Sequence, residues 1–368
     1  MRVLHLISST GYHGAENMAA ELIKQLHNLG VHNHIGVFHN EESTNKEIVN
    51  RTTAYIENGI LFPCRGKIDI RTAMLLRKYI QENAIDIIHS HKYKTNFYAL
   101  LANVGAGCRL VSTCHNWLGE SLKMHFYAYL DKKVLKQFNA VIGVSNEVFE
   151  ELKKHIDSRK ISKIDNGIEI LRYYRTEEKR IAKKTLHLEG KRVVGYVGRL
   201  SEKKGVIFLL SAFKNLSEKY EDLNAIIVGD GEAEESLKKY AHSLGISERV
   251  IFAGERDDTP LIYSAMDVFV LPSLQEAFPM VILEAMASCV PVVATRVGDI
   301  PFIIQDGISG LLIEPKDPDS ISRAVEELLS NPAKAELIAK TALKNVQEHY
   351  SSLSMAEKYK AIYKNILA

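Results

Sequence analysis

Cysteine is scarce, at four in 368 residues. Cys64, Cys108, Cys114 and Cys289 form no CxxC pair and no zinc spacing. A disulfide framework is therefore not expected, and the four read as reduced thiols of a cytoplasmic protein. Long apolar runs are missing too. None approaches the roughly 20 residues that a membrane span needs. The stretch MRVLHLISST turns polar after a few residues, which suits a strand and not a signal peptide. Any membrane contact is expected to be peripheral. Charge of one sign is not in excess: the formal net charge is +2, which gives no reason to expect nucleic acid as a partner. The dinucleotide fingerprint GxGxxG does not appear. His89 and His91 have no carboxylate at metal-ligand spacing, so no metal is expected.

What is present describes a globular protein of ordinary composition, 46% apolar and 25% charged. Its length favours two domains over one core. Short β-branched runs alternate with amphipathic segments. The first series is VLHLIS (3–8), HIGVF (34–38), IDIIHS (85–90), RLVSTC (109–114), AVIGVS (140–145) and KISKID (160–165), with helices expected over 15–30 and 68–83. Residues 171–191 break the rhythm with dense charge. A second series follows: RVVGYVG (192–198), LNAIIVG (223–229), RVIFAG (249–254), MDVFVLP (266–272), VPVVAT (290–295) and GLLIE (310–314). Apolar strands alternating with helices argue parallel sheets covered on both faces. The expected fold class is α/β: two doubly wound, Rossmann-like domains, residues 1–170 and 171–349, facing each other with ligands between them. From Pro332 the chain reads as wholly helical, and residues 350–368 are expected to pack back on the first domain. Up to residue 170 there are 21 Lys and Arg against 17 Asp and Glu, a mild basic bias.

Several stretches bear chemistry. In EAFPMVILEAM (276–286), Pro279 suits a first helical turn. The N–H groups of Met280, Val281 and Ile282 would then be offered to a phosphate or to sugar hydroxyls. Glu276 precedes this terminus and Glu284 rises from it; either they read a ligand, or one caps and the other is solvated. In GYVGRLSEKKG (195–205), Gly198 permits close approach, and Arg199 and Lys204 stand five residues apart beyond a strand. They suit a leaving diphosphate, or form a solvated basic turn. In SSTGYHGAENM (8–18), Gly11 and Gly14 admit a ligand near the backbone, or make an ordinary turn. His115 follows a strand directly, beside the only tryptophan, Trp117. Arg256 ends another strand as a neighbour for base or phosphate. The segment 122–138 mixes Phe126, Tyr127, Tyr129 and Leu130 with Lys123, Lys132, Lys133 and Lys136. It reads as a helix on an anionic membrane, or as a packed helix with a basic outer face.

Taken in order, GRLSEKKG, GDGE, F-AG-R-D, DVFVLPS and E-AFPMVILEAMAS–VPVVAT–VG-IP resemble the retaining glycosyltransferases of family four, with the GT-B fold. The resemblance covers roughly residues 193–315 closely. It extends more loosely to the GAE at Gly14–Glu16, the TCHN around His115, the VS of Val144–Ser145 and the NGIE at Asn166–Glu169. It implies that Arg199 and Lys204 hold a donor diphosphate and that Glu284 binds the ribose hydroxyls. Glu276, with the backbone of Phe278, Pro279, Met280 and Val281, would hold the donor sugar. His115 would face the reacting sugar, and Gly14 would let the first loop approach the donor phosphate and acceptor. The implied donor is a nucleotide-diphosphate sugar and the acceptor a lipid-linked or saccharide hydroxyl. Retention of configuration and no metal or other cofactor are implied too, with a place at the inner face of the cell membrane. The sequence departs from the family pattern at His13, Pro279 and Cys289, where glycine is frequent, and at Phe302, where an acid often stands. Two rivals share the architecture: a sugar-nucleotide 2-epimerase, and a non-catalytic sugar-nucleotide-binding partner of another enzyme.

Overall fold

A run of hydrophobic β-branched residues buried on both faces favours parallel pairing, and that is how both sheets of this chain are built. The structure, a computed structural model, describes residues 1–8, 14–39, 46–64, 69–115, 122–174 and 178–368. It divides into two units: Met1–Gly167 with Ser352–Ala368, and Ile168–Ser351. The divisions expected from the sequence, 170/171 and 349/350, fall within three residues of these.

The first unit holds β1 (Arg2–Ile7), β2 (His32–His39), β3 (Asn58–Pro63), β4 (Ile87–Ser90), β5 (Arg109–Cys114), β6 (Ala140–Gly143) and β7 (Ile161–Lys163). Their spatial order is β3-β2-β1-β4-β5-β6-β7, all parallel. Strand β3 corrects the sequence reading, which left this stretch out. Gly59 and the terminal Pro63 obscure the strand pattern, and β3 lies at the sheet edge, where such residues are tolerated.

Alternation along the strands sends Leu4, Leu6, Ile88 and Leu110 to one face, with Leu76, Ile80, Tyr98 and Ala99. Val3, Ile87 and Val111 go to the other, with Met18, Leu22 and Leu26 of the helix Gly14–Asn28. The same cluster includes Met355, Ala356, Tyr359 and Tyr363 of the final helix, Ser352–Leu367. That helix therefore completes the first unit.

The second unit holds β8 (Arg192–Val197), β9 (Leu223–Val228), β10 (Val250–Gly254), β11 (Val268–Leu271), β12 (Val292–Thr295) and β13 (Leu311–Ile313). Their order is β10-β9-β8-β11-β12-β13, again parallel. All six lie within the runs read from the sequence. In each sheet the order reverses once, between β1 and β4 and between β8 and β11. Such reversals open a crevice beyond the carboxyl ends of the strands.

The final helix is attached through polar groups as well as apolar ones. Tyr359 Oη lies 2.9 Å from Thr113 Oγ1. His89 Nδ1 lies 2.6 Å from Tyr363 Oη, and His89 Nε2 lies 2.8 Å from the same Thr113 Oγ1. His5, beside His89 on β1, reaches Asn33 Oδ1 at 3.3 Å and His91 Nε2 at 3.4 Å. Burial holds the His5 pKa down at about 4, partly opposed by the hydrogen bond that its ring donates to Asn33 Oδ1, and pushes His89 and His91 well below the usual value.

The unfolded chain therefore takes up protons before the folded one as pH falls below about 6.5, and stability drops down to about pH 4. His5 alone contributes a loss on the order of 3 kcal/mol across that window. Urea titrations of the intact chain should show the midpoint already declining between about pH 6.5 and 5.5, above the carboxylate range. A flat midpoint there would contradict this account.

Candidate active site

Strands β8 and β11 flank the reversal in the second sheet, and the loops leaving them carry the residues of interest. Beyond β8 comes Gly198, at φ +152°, then Arg199 to Gly205. Gly205 lies in the left-handed region, and a Cβ there would meet the Pro272 carbonyl oxygen at 2.2 Å. Leu274 N–H donates to the Lys203 carbonyl at 2.7 Å. The two loops are thus pressed together by backbone contacts.

This contact brings Lys204 to Glu276. Lys204 Nζ donates to Glu276 Oε1 at 2.6 Å, and Ser273 Oγ donates to the same oxygen at 2.7 Å. Glu276 is buried, with its side chain 7% exposed. A carboxylate so enclosed requires a counter-charge. Behind it, Gly298 at φ +54° lets its backbone come so close that a Cβ would sit 1.9 Å from the Glu276 carbonyl oxygen.

The helix that follows is Met280–Ala287. Pro279 is its N-cap, extended at φ −81°, and not the first helical residue as read from the sequence. Consequently Ile282 N–H is taken by the Pro279 carbonyl at 3.2 Å. The expected trio of free N–H groups becomes two: those of Met280 and Val281 have no partner among the described residues. Phe278 packs its ring against Tyr350 at 6.0 Å.

Glu284 is not a solvated helix residue. It is buried, and its Oε2 accepts from Tyr263 Oη at 2.9 Å, with the Tyr173 phenol nearby. Burial raises its pKa, with the two phenols opposing. The helix ends in a paired cap: Cys289 N–H bonds to Met286 C=O and Val290 N–H to Ala285 C=O, each at 3.0 Å. Cys289 sits at φ +57°, a conformation that favours glycine. This explains the family's frequent glycine there. Phe302, the other departure in this unit, is 67% exposed on the short helix Ile300–Ile303.

Two expected cations stand elsewhere. The Arg199 guanidinium pairs with Glu232 at 3.1 Å, both side chains largely exposed. With Ser201, Lys203 and Ser236 it lines a separate hollow of about 520 Å³. Arg256 makes two hydrogen bonds to Asp258, at 2.8 and 2.6 Å. The structure thus gathers Lys204, Glu276 and the Met280 terminus, but does not bring the Arg199 and Lys204 side chains onto one group. Both arginines hold exposed carboxylates that a stronger anion can displace.

In the first unit, Gly14 opens the helix Gly14–Asn28, and a Cβ there would meet nothing within 4 Å. No contact among the described residues therefore demands glycine at this position. His13 and Trp117 lie outside the described residues. His115 follows β5, its ring stacked on His91 at 6.3 Å. Burial, reinforced by Lys92, lowers its pKa to about 4, so the imidazole is neutral. Three buried histidines, His5, His89 and His91, place ligand atoms within 4.8 Å of one another. Spacing along the chain hid this group, because His5 comes from another strand. By type and proximity the trio suits a metal ion. Both ring nitrogens of His5 and His89 are engaged in the hydrogen bonds described above, so we read a polar network.

Sequence reasoning missed Ser273, Tyr173 and Tyr263. Ser273 had a signal, the S-x-x-E spacing to Glu276. The tyrosines had none, since Tyr263 lies 21 residues from Glu284.

This architecture is that of the GT-B glycosyltransferases. HepE of Anabaena, crystallised with UDP, matches at TM-score 0.87 and 22% identity, over 99% of this chain and 100% of its own. Sucrose-phosphate synthase of Thermosynechococcus elongatus matches at TM-score 0.81 and 19% identity, over 99% of this chain and 98% of its own. Residues 12–172 match the family described as Glycosyltransferase Family 4, and residues 177–345 match Glycosyl transferases group 1. An uncharacterised glycosyltransferase of Methanocaldococcus jannaschii is 31% identical over 76% of this chain and 75% of its own. The UDP-Gal:alpha-D-GlcNAc-diphosphoundecaprenol alpha-1,3-galactosyltransferase of Escherichia coli is 29% identical over 80% and 79%. The chain belongs to the group 1, family 4 glycosyltransferases.

The cap of the Met280–Ala287 helix yields a stability test. Cys289→Gly should raise the unfolding free energy by roughly 0.5–1 kcal/mol, the left-handed penalty less the added chain entropy. A urea midpoint that is unchanged or lower would refute the strain assigned to Cys289.

Proposed function

We propose that this chain transfers a sugar from a nucleotide-diphosphate donor to an acceptor hydroxyl, with retention of configuration and without a metal ion. The observation that carries the reading is the pair of Lys204 with the buried Glu276, four residues before a helix N-terminus with two unpartnered N–H groups. Negative charge grows on the leaving diphosphate. Lys204, the helix dipole and an Arg199 released from Glu232 would meet it, which gives side chains the part a divalent cation plays elsewhere. Glu276 would then accept from sugar hydroxyls. Glu284, already held by the Tyr263 phenol, would accept from the ribose. His115, as a neutral imidazole, would offer a hydrogen bond to the reacting sugar. Retention fits front-face attack, in which the leaving phosphate takes the acceptor's proton.

The similarity to an enzyme acting on a diphosphoundecaprenol-linked sugar supports a polysaccharide, lipopolysaccharide or glycolipid acceptor. Lipid-linked acceptors favour a cytoplasmic protein that touches the inner membrane face. No helix among the described residues is long and apolar enough to cross a membrane. The helix Leu122–Leu135 offers a docking face instead: Phe126, Tyr129 and Leu130 are exposed, with Lys133 over the Tyr129 ring at 5.5 Å. Lys132 is held by Glu151 at 2.5 Å and adds little to it. An epimerase has no feature of the site in its favour.

The test is a kinetic split across a panel of nucleotide sugars. Lys204→Ala should lower kcat by about a hundredfold or more. Glu284→Gln should chiefly raise the donor KM, by about tenfold, because ribose binding is uniform through the reaction. Undiminished turnover in Lys204→Ala would remove its role. An inverted anomer in the product, read by NMR, or turnover abolished by chelator, would overturn those parts of the proposal. For the membrane face, flotation with vesicles containing phosphatidylglycerol should exceed that with phosphatidylcholine alone, and Phe126→Ala with Tyr129→Ala should abolish the difference. Equal flotation of both vesicle types would count against it.

A further inference from the structure

Four imidazoles gather in the first unit. Ring centroids lie 5.2 Å apart for His5 and His89, 5.7 Å for His5 and His91, 4.3 Å for His89 and His91, and 6.3 Å for His91 and His115. The reaction proposed above uses only His115. A neutral imidazole carries one proton on one of its two nitrogens, and the partner of the first nitrogen decides what the second can do.

For two of these rings the partners fix that proton. Asn33 is 1% exposed, and its Nδ2 donates to the carbonyl oxygens of Ile23 at 3.1 Å and Val31 at 3.3 Å. A flipped amide would set its oxygen against both carbonyls, so it is Oδ1 that faces His5 Nε2, 3.3 Å away. An amide oxygen only accepts, and His5 Nε2 therefore bears a proton. Burial keeps the His5 ring neutral, with His34 adding to the effect and the Asn33 bond opposing it. His5 Nδ1 is then bare. His91 Nε2 lies 3.4 Å from that bare nitrogen and must supply the proton between them. Burial, then the neighbouring His89, His5, His115 and Lys92, keep His91 neutral as well. Its Nδ1 is bare in turn. His89 lies outside this sequence of bonds, because its nitrogens face the hydroxyls of Tyr363 and Thr113, which donate or accept equally well.

His91 Nδ1 is buried and has no partner among the described residues. A buried lone pair of this kind calls for a donor. The residue borders a hollow of about 240 Å³ that it shares with Thr113 and His115, and at ~30 Å³ per water there is room for several waters.

We infer that Asn33 and His5 are positioning residues, which hold His91 in the tautomer protonated at Nε2 and so keep its Nδ1 as a standing acceptor for a hydroxyl group or a water. The relay starts at two backbone carbonyls, those of Ile23 in the helix Gly14–Asn28 and of Val31, and crosses β2 and β1 to reach the end of β4. The use of that acceptor rests on the glycosyltransferase reading. In the transfer, a nitrogen of such low basicity orients a hydroxyl without removing its proton.

The test is NMR of the intact chain with isotopically labelled histidine, in which the couplings of each ring's nitrogens to its carbon-bound protons report the tautomer. His5 and His91 are assigned by the signals lost in His5→Phe and His91→Gln. Near neutral pH both rings should carry a proton on Nε2 alone. His91 Nδ1 should resonate upfield of an unbonded imidazole nitrogen, because it accepts a hydrogen bond. A proton on His91 Nδ1, an even mixture of tautomers or an unshifted Nδ1 overturns the inference. Asn33→Leu and His5→Phe should each turn His91 into a mixture of tautomers, and a folded variant in which His91 is unchanged overturns the relay. The wild-type spectrum needs no variant, so a substitution that fails to fold leaves the test standing. Release of UDP from UDP-glucose, UDP-galactose and UDP-N-acetylglucosamine gives the second readout: His5→Phe should lower kcat about tenfold, and an unchanged kcat overturns the positioning role. A wild-type chain that turns over none of the three counts against the transferase reading, while the tautomer still decides the relay.

Discussion

A single ion pair organises the second unit's site. Lys204 and Glu276 are 72 residues apart in the chain, yet they meet at hydrogen-bond distance, the carboxylate nearly closed to water and the ammonium partly open to it. Desolvating either charge alone is costly, and each is tolerable because the other is present. The pair also joins the loop beyond β8 to the loop beyond β11, where the strand order reverses. In the proposed reaction an arriving anion would compete with Glu276 for an ammonium that the fold already holds in place. Preorganisation of this kind reduces what binding must reorder.

The two glutamates of the site illustrate how surroundings differentiate one side-chain type. Glu276 accepts from an ammonium and a hydroxyl at one carboxylate oxygen. Glu284 is enclosed among phenols, and its pKa moves upward. The first suits contact with a site where charge develops. The second suits a steady hydrogen bond to a neutral diol, which asks less of its charge.

Much of this was legible in the sequence, and the limits were physical. Strands buried on both faces leave near-continuous apolar runs, so all six of the second sheet could be read. Edge strand β3, with Gly59 and Pro63, left no such trace. Glu276, Lys204 and the helix terminus were recognisable because family motifs fix their spacing. The phenols of Tyr173 and Tyr263 were not, because nothing local links them to Glu284. Side-chain direction was also beyond reach: the position of Arg199 was read, but not its turn toward Glu232. His5 joined His89 and His91 only through the register of β1 with β4. Cys289 shows the opposite case. Its departure from a glycine pattern was visible, and the left-handed backbone supplied the reason.

The first unit is discontinuous, because its last helix, Ser352–Leu367, lies beyond the whole of the second unit in the chain. During synthesis the amino-terminal sheet emerges first, but the surface bearing Val3, Ile87 and Val111 lacks Tyr359 and Tyr363 until the second unit has been made. The usual order, in which the earlier domain folds earlier, is thereby inverted for completion. For that interval the nascent chain presents an apolar sheet face covered only in part, by the helix Gly14–Asn28, with the histidine cluster still lacking its tyrosine partners.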